Sequence, residues 1–424
     1  MGLKLNRLDL SGTLNVSIFL FFNFLLLIST GLNYLYHQNN YFLYESPMYI
    51  KSIPAIIFTL LFFNFVNFKN FKKNKIVKWH LIFLVTNLIL STLHVLFKRN
   101  AFESLHFDII NLGLWSLAVY ILPSIIKEEK DFNFFLKNFS FSVFVITILS
   151  LILFYFGINF DNRFISFFKD PLRAGFVIVL EILVFFNPLR SRYSYLPPLF
   201  YVTLLLLIIS LILSGSFSAI FSLIFAFCLA LFFLNLTNLY EVKYLPNLKK
   251  ITFCFFIFYI MYRFGVFDYF IKRFNLMFFL EDSNAPGFSS ISSRIQQYFS
   301  LFYVLKKMTI LEIFLGKFGN EHYLTTDSFY LQLFYNSGLI GLSSYLIFFF
   351  SAVLLNLNLL QNYINNRNKS SSPKYFFLVG MLSLFCILIF FSFFLVALPY
   401  QFPFNYLVFL LVGALISLDN LKVN

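Results

Sequence analysis

The stretch Leu14-Asn-Val-Ser-Ile-Phe-Leu-Phe-Phe-Asn-Phe-Leu-Leu-Leu-Ile-Ser-Thr-Gly-Leu-Asn-Tyr-Leu-Tyr36 decides the class of fold. It carries no charge. As a helix it is about 34 Å long, enough for a hydrocarbon layer of roughly 30 Å. Lys4 and Arg7 precede it. The run exceeds the core of a signal peptide and lacks a small-residue cleavage site, so it reads as a first span that stays in the membrane.

Working outward, the same pattern recurs. Apolar runs lie near 50–67, 79–97, 109–126, 139–156, 172–186, 198–213, 218–236, 251–267, 328–355, 375–398 and 402–418. The sixth is short and carries Glu181. The last two are separated by Pro399-Tyr400-Gln401, which predicts a tight hairpin. Of the 424 residues 60% are hydrophobic and 12% charged, and mean hydropathy is +0.81. A water-soluble fold could not hide that much apolar surface. The expected fold is all-α: one integral membrane domain over 1–424 with about twelve transmembrane helices. No repeat of 20–50 residues is visible. Cys228, Cys254 and Cys386 lie inside apolar runs and show no metal or redox spacing.

The formal net charge of +14 suggests nucleic acid at first sight. The distribution of Lys and Arg argues for membrane topology instead. With the N-terminus inside, the inner segments hold 19 of them and the outer ones 13, seven of which fall between Arg263 and Lys317. Long loops are exempt from the positive-inside rule, which leaves 19 against 6. Both ends are therefore expected inside, with an even number of spans.

One connection stands out. Residues 268–327 form an outer loop of 60 residues between spans nine and ten. Loops of this length are functional or disordered. Phe267, Phe270, Ile271, Phe274, Met277 and Phe278 fall at helical spacing with Lys272 and Arg273 opposite, the pattern of a helix lying on a membrane surface. A second apolar-periodic stretch runs from Tyr298 to Leu315.

Basic residues facing outward run against the topology rule. Arg163, Lys169 and Arg173 cluster around Asp170-Pro171 and Gly175. Two guanidinium groups there suit either a phosphate grip or snorkelling to headgroups. Ser289-Ser-Ile-Ser-Ser-Arg294-Ile-Gln-Gln-Tyr298 places one Arg after a Ser-rich run. Gly316-Lys-Phe-Gly319-Asn-Glu321-His322 leads to Asp327-Ser-Phe-Tyr330 and ends in Asn336-Ser-Gly338-Leu-Ile-Gly341. Asp327 sits at a helix start, where a carboxylate can cap the first turn without a catalytic role. Glu181 is suspect as an ionisable group inside a span, or it pairs with a nearby Arg. His80 and His94 in span three read as buried structural residues. Ser214-Gly-Ser-Phe-Ser218 reads as a tight turn. No HExxH, P-loop, GxSxG or paired-Cys motif is present.

In order and sidedness these segments resemble the O-antigen polymerase and O-antigen ligase families of bacterial cell envelopes. Arg163 to Gly175 resembles the polymerase-type stretch of Arg, aromatic, Asp-Pro and Gly. Leu213-Ser-Gly-Ser-Phe-Ser resembles the Ser-rich turn two spans later. Ser293-Arg294 to Tyr298 resembles the signature of the long loop. Gly316 to Gly341 resembles its loop-to-helix ending. Ligases usually carry His-Asn before the Tyr-Leu of that ending. Asp327 and Ser328 stand there instead, which favours the polymerase.

The resemblance implies a metal-independent glycosyltransferase in the bacterial inner membrane, without a cofactor, working on the periplasmic face. It would move a growing glycan from undecaprenyl diphosphate onto a new lipid-linked repeat. Arg294 would stabilise the diphosphate leaving group, with Asp327 or His322 as base and Glu321 a further candidate. Arg163, Arg173 and Lys169 would hold the diphosphate. Tyr298 and Tyr330 would line the sugar or lipid. Expected partners are the lipid-linked oligosaccharide, membrane lipid and a chain-length regulator protein, and no nucleic acid. Three other readings stay open: a ligase that joins finished glycan to lipid A core, a flippase or transporter for the lipid-linked repeat, and a membrane protein with no enzymatic role.

Overall fold

The computed structural model describes residues 12–39, 48–66, 74–97, 113–156, 171–184, 198–236, 299, 302–317, 328–365, 373–394 and 404–423. Among them the regular structure is helical, with no strand. In chain order the helices are α1 Gly12–Asn39, α2 Met48–Phe65, α3 Lys75–Phe97, α4 Ile121–Ile125, α5 Glu129–Tyr155 and α6 Pro171–Val184. There follow α7 Pro198–Ser214, α8 Phe217–Leu236, α9 Ile310–Leu315, α10 Phe329–Asn365, α11 Pro373–Phe394 and α12 Phe404–Val423. Pro opens α6, α7 and α11, where its missing N–H has no helical partner to lose. The ninth expected span and the amphipathic stretch 267–278 lie outside the described residues, as does the Pro399-Tyr400-Gln401 turn.

Among the described residues, four stretches are long and apolar enough to cross a membrane: Lys75–Leu93, Glu129–Tyr155, Phe329–Tyr363 and Phe404–Leu421. Shorter apolar helices include Ala174–Val184 and Tyr201–Ser214. This is the character of a membrane protein. Large side chains such as Phe21, Phe63, Leu88, Leu96 and Leu354 point outward from these helices. Buried hydroxyls bond back to their own helix, as Thr147 to the Val143 carbonyl (2.8 Å) and Ser150 to Ile146 (2.7 Å). Apolar surroundings leave them no cheaper partner.

α6 lies at the centre, packed against α7, α8 and α11 and touching α12. Its residues from Ala174 to Val184 are buried, Glu181 among them. The close approaches run through glycine. A Cβ on Gly380 of α11 would stand 2.2 Å from the Leu183 carbonyl oxygen of α6. A Cβ on Gly175 of α6 would stand 2.9 Å from Ser216 Cβ and 2.8 Å from Ala219 Cβ. Between α7 and α8 the chain turns in two residues, Gly215 and Ser216. Gly215 takes φ 58°, and its N–H bonds to the Ile212 carbonyl (3.0 Å). The tight turn read from Ser214-Gly-Ser is therefore present.

Two expectations need correcting in detail. The fourth span is not one regular helix over 109–126. A wide π-type turn at 113–114 tightens through 115–116 into a 3-10 segment at Leu117–Tyr120 and then α4. Pro123 has no N–H for the Val119 carbonyl, so the regular ladder cannot run through. Gly413 of α12 packs there, with its would-be Cβ 2.7 Å from that oxygen. The second correction concerns α5, which starts ten residues before the expected 139. Its N-terminus is held by Asp131, whose Oδ2 accepts from the N–H groups of Glu128 (3.1 Å) and Lys127 (3.2 Å).

At the same end, Lys374 Nζ pairs with Glu129 Oε1 at 2.5 Å, so α5 and α11 begin side by side. An aromatic cluster ties α3 to its neighbours. His80 is fully buried, its Nδ1 2.8 Å from the Tyr120 hydroxyl and its ring 4.9 Å from Phe348. His80 is thus the structural residue expected, while the side chain of His94 lies outside the described set.

Gly380→Val should cost about 3 kcal/mol or more, because the Leu183 backbone carbonyl cannot move aside as a side chain can. The check is the apparent melting temperature in detergent. Leu354→Ala, at a position 59% exposed, should leave it nearly unchanged.

Candidate functional site

The motif running from Gly316 to Gly341 acquires a geometry. α10 is not straight. Gly338 has φ 63° and ψ −166°, outside the helical region. The rings of Phe329 and Tyr345 are 4.9 Å apart. Sixteen residues of straight helix would separate them by about 24 Å. The first arm, 329–337, therefore folds back along the second arm, 339–365.

Neighbouring contacts agree. The second arm runs antiparallel to α11, with Phe349 against Phe385 (5.4 Å) and Asn356 Nδ2 donating to the Leu378 carbonyl (3.1 Å). Further along α11, Leu388 accepts a hydrogen bond from the Tyr330 hydroxyl (3.3 Å). This puts Tyr330 level with Tyr345 and Gly338 beyond both. The length available for a crossing is therefore that of the second arm. From 339 to 363 it is about 37 Å long, still sufficient for a hydrocarbon layer of roughly 30 Å.

A backbone lock holds the hairpin. α9 ends at Gly316, with φ 93° and ψ 167°. The Lys317 N–H donates to the Tyr335 carbonyl at 2.8 Å. A Cβ on Gly316 would meet the Asn336 carbonyl oxygen at 2.3 Å, and one on Gly338 would meet the Phe314 oxygen at 2.3 Å. Each glycine occupies a backbone region that is essentially closed to other residues. Each also makes room for the other strand of the lock.

Side chains reinforce it. Thr309 and Glu312 form a capping box: the Thr309 N–H donates to Glu312 Oε2 (2.8 Å), and the Glu312 N–H donates to Thr309 Oγ1 (3.3 Å). Lys317 Nζ lies 3.4 Å from Glu312 Oε1, with both side chains largely buried. At the hairpin base Ser328 is fully buried, and its Oγ accepts from the Leu331 N–H at 3.4 Å. Ser328 thus stands at the cap position of the first arm, while Asp327, expected there, lies outside the described residues. The sequence Thr309-x-x-Glu312 is a legible capping-box signal for the start of α9. That start divides the stretch Tyr298–Leu315, expected as one apolar-periodic segment, into a helical turn at 302–306 and α9.

The candidate residues fall as follows. Arg173 stands on the first turn of α6, next to the Gly175 contact with the Ser214–Ser218 turn, so two of the quoted segments meet at one end of the bundle. Tyr330 is half-buried on the first arm of α10. Arg163, Lys169, Arg294, Tyr298, Glu321, His322 and Asp327 lie outside the described residues. The flanks of 318–327 are described, and they are Lys317 and Ser328, one in the lock and one at the base of the first arm. Among the described residues no three His, Cys, Asp or Glu side chains converge as a metal site requires. No family model matches the chain, and no curated protein matches it.

Gly338→Ala and Gly316→Ala should each cost about 2–3 kcal/mol from the backbone conformation alone, with the carbonyl contacts adding to it. Thermal unfolding in detergent should show both variants melting well below wild type. Trypsin should cleave next to Lys317 faster in both. Gly319→Ala provides a comparison within the same segment.

Proposed function

We propose that the chain is a surface-polysaccharide polymerase of the O-antigen polymerase type. It sits in a bacterial inner membrane with about twelve spans, both ends inside and the long loop in the periplasm. The observation that carries the reading is the lock between Gly316-Lys317 and Tyr335–Gly338. It accounts physically for glycines of the loop-to-helix ending that the resemblance singles out, and it tethers both flanks of the segment bearing Glu321, His322 and Asp327. Asp327 and Ser328, where a ligase usually carries His-Asn, also favour the polymerase over the ligase.

The chemistry is displacement at an anomeric carbon. A hydroxyl on the non-reducing end of a new lipid-linked repeat attacks that carbon. The bond from carbon to the diphosphate oxygen breaks, and undecaprenyl diphosphate leaves with the electron pair. The hydroxyl proton passes to Asp327 or His322, with Glu321 as the weaker base. Arg294 meets the charge that develops on the leaving oxygen. Arg163, Lys169 and Arg173 hold the diphosphate through charge-assisted hydrogen bonds. Tyr298 and Tyr330 line the sugar or the lipid. A chain-length regulator protein would act on the product distribution.

The test is genetic and read on a gel. In a strain deleted for the gene, the wild-type gene should restore long, laddered glycan. Arg294→Ala should give single-repeat product at normal protein abundance, since loss of one stabiliser of developing charge costs about 10²–10³ in rate. Full ladders from Arg294→Ala would remove that residue from the mechanism. Ladders that persist on the carrier in the deletion strain, unattached to lipid A core, would replace the polymerase reading with the ligase.

A further inference from the structure

Phe299 and the segment 302–315 present an unusual surface. Phe299, Phe302, Tyr303, Ile310, Leu311 and Phe314 are all exposed, Ile310 at 77%. Lys306 Nζ lies 5.1 Å from the centre of the Phe302 ring, and Lys307 Nζ 4.1 Å from that of Tyr303. The residues that turn inward are Met308, Glu312 and Gly316. A patch this apolar would be a liability in water.

Its depth follows from the hairpin. α9 ends in the lock at Gly338, the outer tip of a second arm about 37 Å long against a hydrocarbon layer of roughly 30 Å. That places α9 at the boundary of the layer. Leu339 and Ile340 at the tip are also exposed, as are Ile347 and Phe350 further down the arm. The exposed face of α9 therefore lies beside the lipid-facing stripe of α10.

We infer that 302–315 is an interfacial bracket that docks on the anionic phospholipid surface of the membrane the protein spans. Ile310, Leu311 and Phe314 enter the boundary with the acyl chains, and Lys306 and Lys307 meet the phosphate of anionic headgroups. The occupant is set by the combination: aromatic and branched apolar side chains for the boundary, and two adjacent cations held over exposed rings for negative charge. The bracket presses the lock, and with it the flank of 318–327, against the membrane surface. This inference rests on the membrane character of the fold and does not need the polymerase reading.

The test uses the full-length chain with Cys228→Ala, Cys254→Ala and Cys386→Ala, reconstituted in equal parts phosphatidylcholine and phosphatidylglycerol. A bimane label is placed at Leu311→Cys, and the same label at Ile347→Cys is the reference for a lipid-embedded site. Both positions are exposed, so neither change removes core packing. Brominated chains are carried on one lipid or the other. The Leu311 label should be quenched by bromine and shielded from iodide in the water. Brominated phosphatidylglycerol should quench at least threefold more than brominated phosphatidylcholine, within the roughly thirtyfold ceiling that two lysines near a charged surface allow. Lys306→Gln with Lys307→Gln should bring the two lipids close to parity while leaving the Ile347 label unchanged. Quenching by iodide without quenching by bromine would place the bracket in water and overturn the inference. Equal quenching by both lipids in the wild-type background would overturn the recognition of anionic headgroups.

Discussion

Elements of this chain meet most closely where a glycine faces a backbone carbonyl. Gly380 lies on Leu183, Gly413 on Val119, Gly316 on Asn336 and Gly338 on Phe314. In lipid there is no hydrophobic drive to bring one apolar helix against another, so close packing and backbone contact must supply the association. The rest of the arrangement depends on these approaches. α6 is central because α11 can reach its backbone at Gly380 and because Gly175 admits the Ser214–Ser218 turn. α12 can settle on the irregular fourth segment because Gly413 accepts the carbonyl that Pro123 leaves outside the helical ladder.

The lock at the head of α10 extends the same device to a loop. Two glycines in backbone conformations open to almost no other residue clasp a short helix onto a folded-back arm. Glu312 consolidates it by serving three partners: the Thr309 N–H, the Thr309 hydroxyl (3.0 Å) and Lys317. The consequence is mechanical. A loop entering a membrane protein is free to wander unless something fixes its ends, and here both flanks of 318–327 are fixed to helices. If that segment carries the acid–base chemistry, the rigidity it needs is supplied from outside it.

Much of the fold was readable because lipid imposes such a simple rule. A run of apolar residues long enough to cross must be helical, since every backbone group has to bond within the segment. The boundaries of α1, α2, α7, α8 and α12 fall within a few residues of what hydropathy alone indicates. The fold-back of α10 was not readable. Phe329 to Asn365 is apolar throughout, and Gly338 within it looks like any glycine in a membrane helix. Its φ of 63° follows from the Phe314 backbone lying against it, which is a contact between residues 24 positions apart. Pro123 did carry a local signal for the break in the fourth span. The capping box at Thr309 carried another for the start of α9.

By itself, then, the sequence determined that this is a helical membrane protein. It also determined which segments are apolar and where basic residues stand against the topology rule, because each of these is a property of composition over a window. The tertiary structure alone decided that Ser328 caps the first arm, that the turn at Gly215 meets the start of α6, and that Gly316 and Gly338 close on each other. Those are matters of which backbone reaches which. They depend on contacts across distant positions, and no window of sequence contains both partners.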